Sequence, residues 1–134
     1  MTKRDLQELR RLIIERGSLQ NQIEQLDALL KRATPSYGVQ PRGGKSDTAD
    51  KVVKLIELKQ AYERKCNSIA KRQARIENVI GQLADPLERA VLRYRYINNM
   101  SWERIQFAIN YEHTQTFRIH SRAVKNFEKI KTWD

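Results

Sequence analysis

The chain has 134 residues, of which 40% are hydrophobic and 31% are charged, and it contains only five glycines and three prolines. This composition is typical of a helical protein with charged exposed faces, and it argues against a disordered chain. The formal net charge of +10 favours a polyanionic partner, although a basic helical protein that binds no polyanion can carry the same charge.

The first predicted element is a long amphipathic helix from Asp5 to about Ala33. Its apolar residues follow a heptad repeat, the pattern of helices that pack along a common seam. One position of the repeat holds Leu9, Ile23 and Leu30, and the other holds Leu12, Leu19 and Leu26. Arg16 and Gly17 interrupt the first series and predict a weak point there. Four further apolar residues widen the stripe and favour a dimer or a bundle: Leu6, Ile13, Ile14 and Leu29.

Prolines and glycines between about residues 34 and 48 predict a loop, with Ser46, Asp47 and Thr48 as candidate caps for the next helix. The heptad stripe then resumes between residues 52 and 83. One position holds Leu55, Tyr62, Ile69, Ile76 and Leu83, and the other holds Val52, Cys66 and Ile80. Residues 1–84 are therefore predicted to form two long helices that mediate oligomerisation. The loop is long enough for an antiparallel hairpin, and it also permits pairing with another chain.

Residues 85–134 predict a separate domain of three shorter helices. Asp85 and Pro86 suit the cap and the first position of the third helix, and Ser101 suits the cap of the fourth. The predicted inner face of the third helix holds Leu87, Ala90, Val91, Tyr94 and Ile97. That of the fourth holds Trp102, Ile105, Ala108 and Ile109. The fifth helix is predicted to begin near His113 and to bury Thr116, Ile119, His120, Ala123, Phe127 and Ile130.

The fourth and fifth helices, separated by a turn at residues 110–111, have the spacing of a helix-turn-helix. Base recognition requires long donors and amides near the start of the second helix, because these reach base edges in the major groove. His113, Thr114, Gln115 and Arg118 occupy that stretch, and Arg122 and Lys125 follow on the polar side. The same pattern is also typical of a solvated basic face on a packing helix. Periodicity therefore leaves both interpretations open.

The segment "DPLERAVLRYRYINNMSWERIQFAINYEHTQTFRIHSRAVKNFEKI" resembles region 4 of bacterial sigma-70-type factors. More closely, "LRYRYINNMSWERI" and "FRIHSRAV", preceded by two helices and a "PRGGKSD" loop, resemble phage-encoded regulators of the ArpU and RinA type. This resemblance implies a protein that regulates late gene transcription of phages or mobile elements. It also implies that residues 101–109 support a recognition helix and that residues 113–125 contact DNA. The contacts that it implies are His113, Thr114, Gln115, Arg118 and Arg122.

The chain departs from the family pattern at two positions of the recognition helix. Glu112 stands where a Ser or Thr cap is usual, and a carboxylate near phosphates repels them. Thr116 stands where Val or Ile is usual, so a hydroxyl group is expected in the core.

We therefore predict an all-α protein, with a long helical hairpin or coiled coil followed by a C-terminal helix-turn-helix domain. Its expected function is sequence-specific DNA binding in transcription regulation, as a homodimer or a higher homo-oligomer. The alternatives are a sigma-like factor that docks on RNA polymerase, a small terminase-like packaging protein, and an interaction adaptor that does not bind DNA.

Catalysis and metal binding are not expected, because the sequence has two histidines, no glycine-rich phosphate loop and no metal-ligand spacing. No cofactor is expected either. The single cysteine excludes an internal disulfide framework, and neither a membrane-spanning run nor a signal-peptide pattern is present. The sequence therefore predicts a cytoplasmic protein of a bacterial host cell.

Overall fold

A computed structural model describes residues 1–33 and 44–132 of the chain, and all regular secondary structure within those ranges is helical. The five α-helices are α1 (Lys3–Ala33), α2 (Gly44–Ile80), α3 (Pro86–Leu92), α4 (Trp102–Ile109) and α5 (His113–Lys129). A π-helical turn, Arg93–Ile97, directly continues α3. The predicted all-α fold is thus confirmed. Within the same ranges, no helix has both the length and the apolar character needed to cross a membrane.

The chain forms two compact units, and their division differs from the predicted boundary at residue 84. Unit 1 contains residues 1–13 and 69–134, whereas unit 2 contains residues 14–68. The start of α1 and the last third of α2 therefore belong with the C-terminal helices. The physical reason is that the apolar residues of these helix ends are buried in the same core as α5.

The core of unit 1 is formed by α1, α2, the α3–π segment and α5. Its buried members are Leu6, Leu9, Ile69, Ile76, Val79, Ile80, Leu83, Leu92, Tyr96, Ala123, Val124 and Phe127. Four residues of the seam predicted between residues 52 and 83 are thus buried: Ile69, Ile76 and Ile80 of α2, and Leu83 directly after it. Removal of one such side chain from water contributes about 1.5–3 kcal/mol to the stability of the fold.

The third helix begins as predicted, because the Asp85 carboxylate accepts a hydrogen bond from the Leu87 N–H at 2.9 Å. Its predicted inner face is wrong in part. Val91 is buried, but the other four predicted residues are only half-buried, while Leu92 and Tyr96 are buried instead. The burial of Tyr96 in place of Tyr94 follows from the π turn, in which the Asn98 N–H donates to the Arg93 carbonyl at 2.9 Å. This wider turn changes which residues follow Leu92 along the core.

The second helix begins at Gly44, earlier than the predicted end of the loop at about residue 48. Asp47 consequently lies in the first turns of α2, where its carboxylate pairs with Lys51 at 3.3 Å. Residues 34–43, which form most of the predicted loop, lie outside the described residues.

In unit 2, α1 and α2 lie side by side. The Lys65 ammonium of α2 pairs with the Glu15 carboxylate of α1 at 2.6 Å. Leu55 is buried, and the predicted seam residues Tyr62 and Cys66 are half-buried. A hydrogen bond to Cys66 raises the pKa of the Tyr62 hydroxyl above its ordinary value.

Ile76 tests the core of unit 1, because its side chain is only 2% exposed. We expect Ile76→Asp to lower the free energy of unfolding by about 3–5 kcal/mol, because a carboxylate would be buried without a partner. Ala74→Asp is the matched control, because it introduces the same residue at an exposed position of the same helix. Urea denaturation followed by circular dichroism measures both variants. Equal midpoints for the two would contradict the assignment of Ile76 to the core.

Candidate nucleic-acid interface

The local structure of α4 and the following turn sets the start of α5. The Ser101 hydroxyl accepts a hydrogen bond from the Arg104 N–H at 3.3 Å and caps α4 as predicted. Asn110 ends the helix in the left-handed conformation, with φ 59°, and its N–H donates to the Gln106 carbonyl. Asparagine tolerates this conformation better than most residues. The turn is therefore short, and α5 begins at His113 as the sequence predicts.

The inner face of α4 is smaller than predicted. Ile105 is buried, Trp102 and Ile109 are half-buried, and Ala108 is exposed. The apolar pattern that placed Ala108 on the inner face with Trp102 and Ile105 is therefore wrong at this residue. The α4 helix has only eight residues and contacts its neighbours over a narrow strip, which leaves Ala108 in solvent.

Aromatic rings connect α4 to the middle of α5. The Trp102 ring lies 4.6 Å from the Phe117 ring and 4.8 Å from the His120 ring, measured between centroids. On its other side, the Arg95 guanidinium lies 4.3 Å from the centre of the Trp102 ring. Arg95 also donates to the Met100 carbonyl at 3.0 Å. Such cation–π and aromatic contacts each contribute about 0.5–1.5 kcal/mol and hold α5 in one orientation.

Two polar contacts attach α5 to the α3–π segment, one of them buried and the other partly buried. The Tyr96 hydroxyl lies 2.8 Å from Nε2 of His120, and the Asn126 amide donates to the Glu88 carboxylate at 2.6 Å. Glu88 is buried although it is charged, which the apolar pattern could not predict. Because an unpaired carboxylate would be costly there, this hydrogen bond also restricts the rotation of α5 about its axis.

The opposite side of α5 is fully accessible. The six residues predicted to contact DNA are all exposed: His113, Thr114, Gln115, Arg118, Arg122 and Lys125. With 3.6 residues per turn, positions 114, 118, 122 and 125 follow one stripe along the helix. In the described part of the chain, no carboxylate lies within ion-pair distance of Arg118, Arg122 or Lys125. We call this stripe, with Gln115 and Ser121, the outer face of α5.

His113 differs from the other predicted contacts because it already has partners within the protein. Its Nδ1 lies 3.2 Å from the Gln106 amide nitrogen, and its ring lies 4.5 Å from the Phe117 ring. It therefore connects the start of α5 to α4.

A shallow groove runs beside the outer face of α5. Leu87 of α3 and Tyr111 of the turn border it, opposite Thr114, Arg118 and Arg122. Tyr111 is 41% exposed and was not predicted as a contact residue. The sequence feature that could have indicated Tyr111 as a contact residue is an aromatic side chain in the turn directly before α5.

Glu112 occupies the cap position of α5, but its side chain makes no capping hydrogen bond. Its carboxylate is exposed next to the start of the helix. The departure from a Ser or Thr cap that the sequence indicated thus corresponds to an uncapped helix start. Such a start is less stable by roughly 0.5–2 kcal/mol than one with a serine cap.

Thr116 is fully buried, at 0% exposure, and its Oγ1 has no hydrogen-bond partner among the described residues. The expected hydroxyl in the core is therefore present and unsatisfied. A buried hydroxyl without a partner costs about 1–3 kcal/mol.

Thr116→Val should consequently raise the free energy of unfolding by about 1 kcal/mol, because it replaces the hydroxyl by a methyl group of similar size. Thermal denaturation should show an increase of a few degrees. Thr114→Val is the matched control, since Thr114 is exposed two residues earlier and its hydroxyl is accessible to water. A Thr116→Val protein that melts at or below the wild-type temperature would contradict this account.

His120 is buried between Tyr96 and Trp102, and this burial lowers its pKa from 6.5 to about 4. The positive charges of Lys3 and Arg95 act in the same direction on the pKa. The imidazole is therefore neutral at pH 7 in the folded protein. An unfolded chain binds the proton near pH 6.5, so protonation favours unfolding below that pH.

Above about pH 6.5, His120 is neutral in both the folded and the unfolded chain, and its full contribution to stability is present. As the pH falls towards 4, the unfolded chain binds a proton that the folded protein does not, so this contribution is lost progressively. We expect a loss of about 2–3 kcal/mol over this range. His120→Gln, which retains a polar partner for Tyr96, should show a smaller loss than the wild type. Urea titrations at pH 7, 5.5 and 4.5 measure the difference. His113→Gln removes the exposed histidine and should keep the wild-type pH dependence; a similar change in both variants would argue against the role of burial.

Among residues 1–33 and 44–132, no group of three His, Cys, Asp or Glu side chains is arranged to hold a metal ion.

Residues 33–128 match the model of the family described as "Protein of unknown function (DUF1492)". The match covers most of the chain, including all of α2 to α4 and nearly all of α5, so the protein belongs to this family. No curated protein and no solved structure matches the chain.

Proposed function

We propose that this protein is a sequence-specific regulator of transcription that binds double-stranded DNA through the outer face of α5. By its resemblance to the ArpU and RinA type and to region 4 of sigma-70-type factors, it would control late genes of a phage or a mobile element in the bacterial cytoplasm. The observation that carries the proposal is the accessible stripe of Gln115, Arg118, Arg122 and Lys125, none of which pairs with a carboxylate in the described part of the chain.

The dimensions of α5 suit the major groove of B-DNA. The helix has 17 residues and is thus about 25 Å long, and an α-helix enters a groove about 12 Å wide. Thr114 and Gln115 lie in its first turn, from which recognition helices usually contact bases. The Trp102 and Glu88 contacts on the inner side of α5 fix the direction of the outer face.

The residues of the outer face divide by their position along the helix. Arg118 lies just beyond the first turn, where a guanidinium can donate two hydrogen bonds to a guanine edge. Arg122 and Lys125 lie about 6 and 10 Å further along the axis, where the groove curves away and phosphates come closer. Arg118 is therefore assigned to base contact, supported by Thr114 and Gln115, and Lys125 to phosphate contact.

The proposal includes a homodimer or a higher homo-oligomer, because one recognition helix contacts only a few base pairs. Two helix-turn-helix domains that bind adjacent half-sites contact twice as many base pairs and bind correspondingly tighter.

A second candidate is a sigma-like factor that docks on RNA polymerase, and it is favoured by Phe107. This side chain of α4 is 90% exposed and lies beside Met100 and Ala108. An aromatic residue this exposed is typical of a protein contact. Phe107→Ala should then abolish binding to polymerase in a pull-down without changing DNA affinity. Normal polymerase binding by the variant would count against this candidate.

Selection from a random duplex library with the full chain would identify the DNA site, and fluorescence anisotropy at two salt concentrations would measure its affinity. We expect Arg118→Ala to weaken binding to the selected site by about 1–3 kcal/mol and to relax the base preference at one position. Lys125→Ala should weaken binding to all sequences alike and lower the slope of affinity against salt by about one.

Arg72→Ala is the matched control for charge. Arg72 is exposed on α2 and is not part of the outer face of α5. The buried residues of α2 and α5 share one core, and the outer face of α5 points away from that core. Removal of the Arg72 side chain should leave affinity and preference nearly unchanged. The proposal fails if no duplex is enriched, or if Arg118→Ala binds the selected site with wild-type affinity and preference.

A further inference from the structure

Unit 2 has a helical seam that two helices alone do not cover. Leu55, at 9% exposure, is its only buried hydrophobic residue among those the structure describes. Val52, a predicted seam position, is exposed, and the other described seam positions are half-buried: Leu19, Ile23, Leu26, Leu30, Tyr62 and Cys66. Two helices in contact along one line leave part of each apolar stripe in water. In unit 1, by contrast, the α1 and α2 residues that share a core with α5, such as Leu9 and Ile76, are 0–2% exposed.

A cluster of apolar side chains lies in water next to this seam. Val52, Val53 and Ile56 of α2 are 42%, 54% and 51% exposed. At about 100° per residue, the three side chains lie within roughly a 100° arc of the helix surface. Val52 lies three residues before the buried Leu55 and about 60° from it around the helix, so this valine–isoleucine patch borders the partly covered seam. Three large aliphatic side chains within two helical turns form a contiguous apolar surface, which a water-exposed helix normally avoids.

The charges around the valine–isoleucine patch indicate what kind of partner it fits. Asp50, Lys54, Glu57 and Lys59 surround it and are all exposed, and their formal charges cancel. Nucleic acid would gain no net attraction at this rim, despite the overall charge of +10. A second copy of the same balanced surface would meet no net repulsion, and opposite charges at its rim can be placed opposite each other.

From these observations, we propose that the described residues of unit 2, 14–32 and 47–68, form the surface through which two copies of the chain associate, with Val52, Val53 and Ile56 at the centre of the contact. Two helix pairs would then cover each other's seams in a four-helix arrangement. Each partner in a stable interface contributes about 20–30 residues, a number that one side of the 55-residue unit 2 can supply. The inference rests on the proposed homo-oligomer but does not require DNA binding.

The test is the mass of the full chain in sedimentation equilibrium at tens of micromolar, without DNA. We expect the wild type to have at least twice the monomer mass of 15.8 kDa. Val53→Glu combined with Ile56→Glu should raise the dissociation constant at least tenfold, because the carboxylates would oppose each other in the contact. Ala74→Glu is the control: it introduces the same carboxylate at an exposed position of the same helix, but in unit 1, and should leave the mass unchanged.

Val53→Glu and Ile56→Glu replace exposed side chains, so the helix content of the double variant, measured by circular dichroism, should equal that of the wild type. If the double Glu variant nevertheless loses helix content, Val53→Ala with Ile56→Ala removes the patch with good helix formers and should also weaken association. A monomeric wild type would overturn the proposal, as would an oligomer that both double variants leave intact. Association without DNA binding would instead contradict the proposed regulator function and leave this interface standing.

Discussion

The burial of one side of α5 is the constraint on which the rest of unit 1 depends. Ile119, Ala123 and Phe127 are each at most 5% exposed, and residues of α1, α2 and the α3–π segment share the core with this side of the helix. Because an α-helix with a fully buried side presents its other side to water, the position of Arg118 and Lys125 follows from packing on the opposite side. The helix backbone that carries the accessible stripe is therefore held in place by the core behind it.

Polar contacts add direction to this packing. Apolar side chains alone permit a helix to rotate or slide by small amounts at low cost, whereas a hydrogen bond is lost when the geometry changes. The Asn126–Glu88 and His120–Tyr96 contacts connect α5 to the α3–π segment at two points, 38 and 24 residues apart in sequence. They lie six residues apart on α5 and so restrict both its rotation and its axial shift. The Trp102 ring, between Arg95 and Phe117, adds a third point of attachment through α4.

Local periodicity predicted α5 well because the helix alternates cleanly between apolar and polar sides. The helix begins at His113, as expected. Five of the six residues predicted to be buried are buried, Ile130 is half-buried, and all residues predicted to be exposed are exposed.

The same method failed where a residue is buried by a distant partner rather than by its own hydrophobicity. Glu88 has no apolar signature, and its burial depends on Asn126. The π turn also breaks the 3.6-residue period on which the prediction for α3 relied. The boundary of the units was missed for a related reason: a continuous heptad repeat does not indicate which residues along it are covered by other helices.

Unit 1 is discontinuous in sequence, and this affects how the protein can fold during synthesis. Leu6 and Leu9 are fully buried, but most of their core partners are in residues 69–127. At 5–20 residues per second, a ribosome needs on the order of ten seconds to add the intervening chain. During that time the first turns of α1 have no core to join, whereas α3, α4 and α5 contact one another over short sequence distances and can associate quickly. The N-terminal segment can therefore join this core only after residues 69–127 have been synthesised.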